Sequence, residues 1–253
     1  MAKRAQITLF IIIGIVLVFS YALVIYSKEQ IDLWSEDVLE LPSDIQQIHS
    51  FVVGCAQLKA EEGIELIISK GGYYTASYMA YDENGENIPY YYHKGDDLVP
   101  ENEIVERELC KVIVESLPSC IDGFNEFPGY LIIGDIESCE SKLLDEQISV
   151  SLKYPLDINQ EGSSFSMRRF NTKTDSNLKK MLDVTREYVD LQEAQPEEFA
   201  ISNLTELANN NGLMREIDID EDSATVVIKL KDSSSAKESV LVFAAGFSSW
   251  PSS

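Results

Sequence analysis

The sequence predicts an α+β protein that follows an N-terminal membrane segment. Helical and strand-like stretches come in an irregular mixed order, without the strict strand–helix rhythm of a wound parallel sheet. The composition, 45% hydrophobic and 25% charged over 253 residues, is that of an ordinary globular chain with enough length for a real core. Residues Ile7 to Tyr26 (ITLFIIIGIVLVFSYALVIY) carry no charge at all.

That run is long enough, at about 1.5 Å per residue, to cross the roughly 30 Å hydrocarbon layer as a helix. Only a helix satisfies its own backbone there, and the segment has no polar face to turn toward water. Lys3 and Arg4 precede it, and Lys28, Glu29, Asp32, Glu36, Asp37 and Glu40 follow. Basic flanks stay in the cytoplasm. Residues 1–6 are therefore expected inside, 7–26 in the bilayer, 27–42 as a juxtamembrane stalk, and 43–247 as an extracellular α+β domain ending in a frayed tail, 248–253. All 43 acidic residues follow the span, and only two of the 20 basic ones precede it. The external part is thus more acidic than the whole chain at −23. Such a surface is soluble and repels other acidic surfaces, which excludes nucleic acid as a partner. A cleaved secretory signal is the rival reading, but its apolar core is usually about 7–15 residues, and Ser20-Tyr21-Ala22 makes a poor cleavage site.

Lys3-Arg4-Ala5-Gln6-Ile7-Thr8 stands directly before the apolar run. This arrangement resembles the class III signal of archaeal type IV pilin-like proteins. The resemblance implies cleavage after Ala5, a mature chain starting at Gln6, and a helix that anchors the protein and forms filament core on assembly. Bacterial pilins carry Glu at the fifth mature position, where this chain has Phe10. The chain as a whole is similar to uncharacterised archaeal single-pass surface proteins, a likeness that implies a location and no chemistry.

Beyond the stalk, Ser43 can cap a helix on which Ile45, Ile48, Val52, Cys55, Leu58 and Ile67 fall near helical spacing, and Gly71-Gly72 stops it. Tyr73 to Tyr78 is β-prone. Asp82-Glu83-Asn84-Gly85 is a hairpin turn signal followed by Ile88-Pro89-Tyr90-Tyr91-Tyr92-His93, whose proline predicts an edge strand. Pro100 to Leu117 reads as a helix, with Glu101 and Glu103 in its first turn. Tyr130 to Ile136, Gln147 to Tyr154 and Ser164 to Phe170 read as strands. Asp175 to Gln195 and Glu198 to Asn210 read as helices. Met214 to Ile219, Ala224 to Leu230 and Ser239 to Phe247 close the chain as antiparallel strands.

Four cysteines, at 55, 110, 120 and 139, all lie outside by the charge argument, where thiols are oxidised. Cys55–Cys120 with Cys110–Cys139 is the favoured pairing among the three possible. Cys110–Cys120 is its competitor, since the chain is expected to turn at Pro118. There is no C-x₂-C and no histidine-containing ligand motif for zinc. Asn203-Leu204-Thr205 is an N-glycosylation sequon.

Chemistry is sparse. Nucleophile-elbow, zincin, dinucleotide and phosphate-loop motifs are absent, and neither His49 nor His93 sits in a catalytic arrangement. Asp218-x-Asp220-x-Asp222 has the oxygen spacing of a cation loop, but Ser223 and Lys229 stand where a calcium loop needs Gly and Glu. Asp82-x-Asn84-Gly85-x-Asn87 is a turn before it is a site. No metal, cofactor or catalytic residue is predicted. Tyr73, Tyr74, Tyr78, Tyr81, Tyr90, Tyr91 and Tyr92 form a dense aromatic set. They are read either as cross-strand packing or, at Tyr90, Tyr91 and Tyr92, as a recognition face. Together these features predict a non-enzymatic, membrane-anchored surface protein for adhesion or assembly, pilin-like, with the lipid bilayer and itself or another surface protein as partners. The alternative is an extracellular sensory or solute-binding domain that acts with a membrane partner.

Overall fold

The computed structural model describes residues 42–160, 162–196, 198–232 and 239–248. The readings placed on residues 1–41, including the span 7–26, most of the stalk and the processing residues Lys3, Arg4, Ala5 and Gln6, lie outside the described residues. So does most of the tail. Among the described residues no helix is long and apolar enough to cross a membrane. The chain divides between Gln46 and Gln47. Of the first unit only residues 42–46 are described, where the Gln46 N–H donates to the Pro42 carbonyl at 3.0 Å and opens helix α1.

The fold is α+β. Helix α1 (Ser43–Ser69) buries Ile48, Val52, Cys55, Ala56, Ala60, Ile64 and Ile67 as one continuous stripe, the mark of an amphipathic helix. Leu58 falls off that stripe and is exposed. The helix stops at Gly71, whose φ of +59° is left-handed. The Gly72 N–H donates back to the Ile67 carbonyl at 2.8 Å, giving a glycine C-terminal motif. Helix α2 (Asn102–Ile121) runs through Pro118. The expected turn there is displaced to Asp122, which is left-handed (φ 44°) and whose N–H donates to the Pro118 carbonyl. Pro118 lacks the N–H that would bond the Val114 carbonyl, a cost confined to the last turns of the helix. Helices α3 (Leu178–Ala194) and α4 (Ile201–Asn210) follow later in the chain.

Two sheets carry the strands. The first contains β1 (Ala80–Glu83), β2 (Glu86–His93), β3 (Asp96–Asp97), β8 (Met214–Asp220), β9 (Thr225–Asp232) and β10 (Ser239–Gly246) in the order β1-β2-β10-β9-β8, with β3 beside β2. The β1–β2 turn has Asn84 and Gly85 at φ 56° and 91°, as a two-residue primed turn requires. Strand β2 is not an edge strand. It pairs with β1 and, in parallel, with β10. That parallel pair departs from the antiparallel expectation, and no hairpin constrains it, since much of the chain lies between its strands. Pairing with β10 begins at Tyr90, so Pro89 sits just before the ladder that would need its N–H. Tyr73 to Tyr78 is a loop rather than a strand, because its backbone is held by a side chain.

The second sheet contains β4 (Leu131–Ile133), β5 (Ser138–Leu143), β6 (Gln147–Gln160) and β7 (Ser163–Asp175). The β6–β7 hairpin is much longer than the sequence suggests. Its register shifts between Lys153 and Leu156, and this irregularity absorbs Pro155 instead of ending the strand. Helix α2 lies on β5. Cys55–Cys120 ties α1 to the end of α2, and Cys110–Cys139 ties α2 to β5, with Cα separations of 5.7 and 5.6 Å, inside the usual range. By loop entropy each closure stabilises by about 4 kcal/mol, a model-dependent figure. On the inner face of the first sheet, Tyr91 stacks on Phe243 at 4.7 Å and Tyr188 of α3 meets the same ring at 6.4 Å.

Candidate functional site

Tyr91 and Tyr92 are 0% and 1% exposed. A bulge explains why two successive residues both point inward. Tyr90 pairs with Ala244 and Tyr92 with Ala245, so Tyr91 is the extra residue and strict alternation fails there. Tyr92 packs on Phe247 at 5.7 Å. The half-buried Tyr90 ring packs on His93, and its hydroxyl is 3.1 Å from Thr225 Oγ1. Tyr91 and Tyr92 are packing residues, so the recognition face expected of them is corrected, while Tyr90 stays half-buried at its edge.

The outer face of the first sheet is where side chains converge on solvent. Its two outermost strands, β1 and β8, lie four strand spacings apart, about 19 Å if the sheet were flat. Yet Tyr81 of β1 donates to Asp220 Oδ2 of β8 at 2.6 Å, so the sheet is curled. The curl covers a small apolar cluster of Ile88, Val227 and Ala244, flanked by Tyr81, Tyr90 and Val242. Hydrogen bonding to Asp220 pushes the Tyr81 hydroxyl up to about 12. The same bond, with Ser223, holds the Asp220 carboxyl low.

Beside this cluster a cleft of about 530 Å³ opens between the loop after α1 and the β1–β2 hairpin. Ile88, Pro89 and Val242 contribute apolar lining, the loop contributes Lys70, Tyr73, Tyr74 and Ser77, and the hairpin contributes Glu83, Glu86 and Asn87. Gly71 stands at its base. A Cβ there would lie 2.5 Å from Pro89 Cγ and 2.6 Å from the Val242 carbonyl oxygen, so the close approach of loop and sheet needs glycine.

The loop wall is held by Glu108 of α2, a carboxylate only 4% exposed. Its Oε2 accepts from the Tyr74 N–H (3.1 Å), the Thr75 N–H (3.0 Å) and Thr75 Oγ1 (2.9 Å), while Oε1 accepts from Lys111. Burial by itself would raise this carboxyl. The bonds from Lys111, Thr75 and Tyr74 outweigh it and hold Glu108 at about 2. Tyr74 also donates to Glu115 at 2.7 Å, and Lys70 lies 5.8 Å above its ring. Tyr78, at the far end of the loop, is 87% exposed.

Other singled-out residues serve local structure. Asp218 pairs with Lys229 at 2.7 Å, and Asp220 accepts from the Asp222 and Ser223 N–H groups in the β8–β9 turn. Asp82 accepts from the Gly85 N–H at 2.7 Å. Among the described residues no three His, Cys, Asp or Glu side chains converge as metal ligands. His49 stacks on Phe170 at 5.2 Å. Asn203 lies inside α4, where the sequon's Thr205 donates to the Ile201 carbonyl and accepts from Arg215.

Tyr73 and Tyr74 of the cleft wall belong to the aromatic set noted in the sequence, but Glu108, which holds that wall, was not singled out there. One signal existed: Glu108 occupies the same helical stripe as Val105, Leu109 and Val112, and a carboxylate there needs a partner. Compared with protein families, curated proteins and solved structures, the chain matches none.

Proposed function

We propose that the chain is a membrane-anchored cell-surface protein whose external α+β domain serves adhesion or surface assembly, in the manner of a pilin-like subunit and without catalysis. The observation that carries this reading is the pair of disulfides, Cys55–Cys120 and Cys110–Cys139, in a chain whose charge-free run Ile7–Tyr26 follows a basic pair. Disulfides persist in oxidising compartments, and the basic flank puts the domain on that side. A 27-residue helix beginning at Ser43 follows the stalk in sequence and supports the pilin-like reading. The surface for contacts is the loop of Tyr73 to Tyr78 rather than Tyr90 to Tyr92. Peptide mass spectrometry of the protein from its native membrane tests the processing this implies. The expected mature N-terminus is Gln6, and a chain retaining Lys3, Arg4 and Ala5 would sink the pilin-like part. The solute-binding alternative is favoured by one observation, the cleft beside β1 and β2.

A further inference from the structure

The cleft combines a fixed wall, an apolar patch and charges of both signs. Lys70 makes no ion pair among the described residues and lies over the Tyr74 ring. The Tyr73 hydroxyl, which accepts from Ser77, lines the same wall, so this side of the cleft offers Lys70 and a phenol donor to a carboxylate. On the hairpin side, Glu86 likewise makes no ion pair among the described residues, while Glu83 faces Lys229, which also lines the cleft and is itself paired with Asp218 at 2.7 Å. This end leaves Glu86 as the acceptor for an ammonium group. Ile88, Pro89 and Val242 line the same cleft and suit an aliphatic side chain. The volume falls within the roughly 300–1,000 Å³ of small-molecule sites. The wall is preorganised, because Glu108 fixes Tyr74 and Thr75 from beneath, and binding need not spend free energy on ordering it.

We propose that this cleft binds a short zwitterionic peptide of two or three residues, its carboxylate on Lys70, its ammonium on Glu86 and an apolar side chain on Ile88, Pro89 and Val242. The inference goes beyond the surface-assembly reading and does not depend on it, since it concerns the cleft and not the anchor or its processing.

The test is calorimetric titration of the full chain in detergent with L-alanyl-L-leucine, its N-acetylated form and its C-terminal amide. The intact dipeptide is expected to bind saturably, and each capped form about tenfold more weakly, the loss of one charge-assisted contact. Lys70→Gln should weaken the intact dipeptide about tenfold and no longer distinguish it from the amide. Glu86→Gln should do the same for the acetylated form. Both residues are exposed, so an unchanged thermal midpoint is expected and guards against misfolding. Equal binding of all three forms, absence of saturation in the millimolar range, or indifference to both substitutions would overturn the proposal.

Discussion

Glu108 is the best place to perturb the molecule, because its effect can be worked out in both size and pH dependence. Its folded carboxyl sits at about 2 against an ordinary 4.5. At 1.36 kcal/mol per unit this is worth about 3 kcal/mol at neutral pH. The residue is only 4% exposed, so little of that is lost to solvent screening. Because the folded value is depressed, the stabilisation is fully present above 4.5 and is lost as pH falls toward 2. Glu108→Gln keeps the shape but removes the charge that Lys111 and the two backbone N–H groups bind. The variant should therefore be about 2–3 kcal/mol less stable than the parent at pH 7. The gap should close to a few tenths of a kcal/mol near pH 2. Urea unfolding with disulfides intact, run on both proteins from pH 7 to 2, measures it. Other carboxylates titrate in both proteins and cancel in the difference. A gap below about 0.5 kcal/mol at pH 7, within the range of ordinary surface substitutions, or one that stays constant into acid, would refute the argument.

Two further predictions rest on other parts of the fold. Gly134→Ala places a Cβ 1.9 Å from the Pro155 carbonyl oxygen; since backbone must move, stability should fall by about 3 kcal/mol, read as a lower thermal midpoint. Burial lowers the His93 imidazole, whose Nδ1 has no hydrogen-bond partner among the described residues, below the ordinary 6.5. Stability should therefore decline as pH falls below 6.5, while the unfolded chain takes up a proton that the folded one resists. His93→Asn should show less decline in that window, and an identical pH profile would contradict the assignment.

The helices were legible because their signals are local. Gly71-Gly72 and the apolar stripe bound α1, and acidic residues open α2. The Asn84-Gly85 hairpin was legible for the same reason. The closing antiparallel strands β8 to β10 followed from short apolar runs between turns. What could not be read depends on distant partners. Strand β5 (SCESKL) has weak strand propensity and exists because β6 and the Cys110–Cys139 bond hold it. Pro155 reads as a strand breaker until the β6–β7 register shift is seen. The two inward tyrosines depend on a bulge that only pairing with β10 creates. The cleft joins a loop, a hairpin and two further strands, and Glu108 reaches its partners 33 and 34 positions away, beyond any local pattern.

Cys55–Cys120 and Cys110–Cys139 lock a domain that we propose to lie outside the membrane. The most direct test is alkylation of intact cells before lysis, followed by non-reducing peptide mapping of the protein from its membrane. The account predicts four unalkylated cysteines and cross-linked peptides joining Cys55 to Cys120 and Cys110 to Cys139. Alkylated thiols at these positions, or a Cys110–Cys120 peptide, would contradict it.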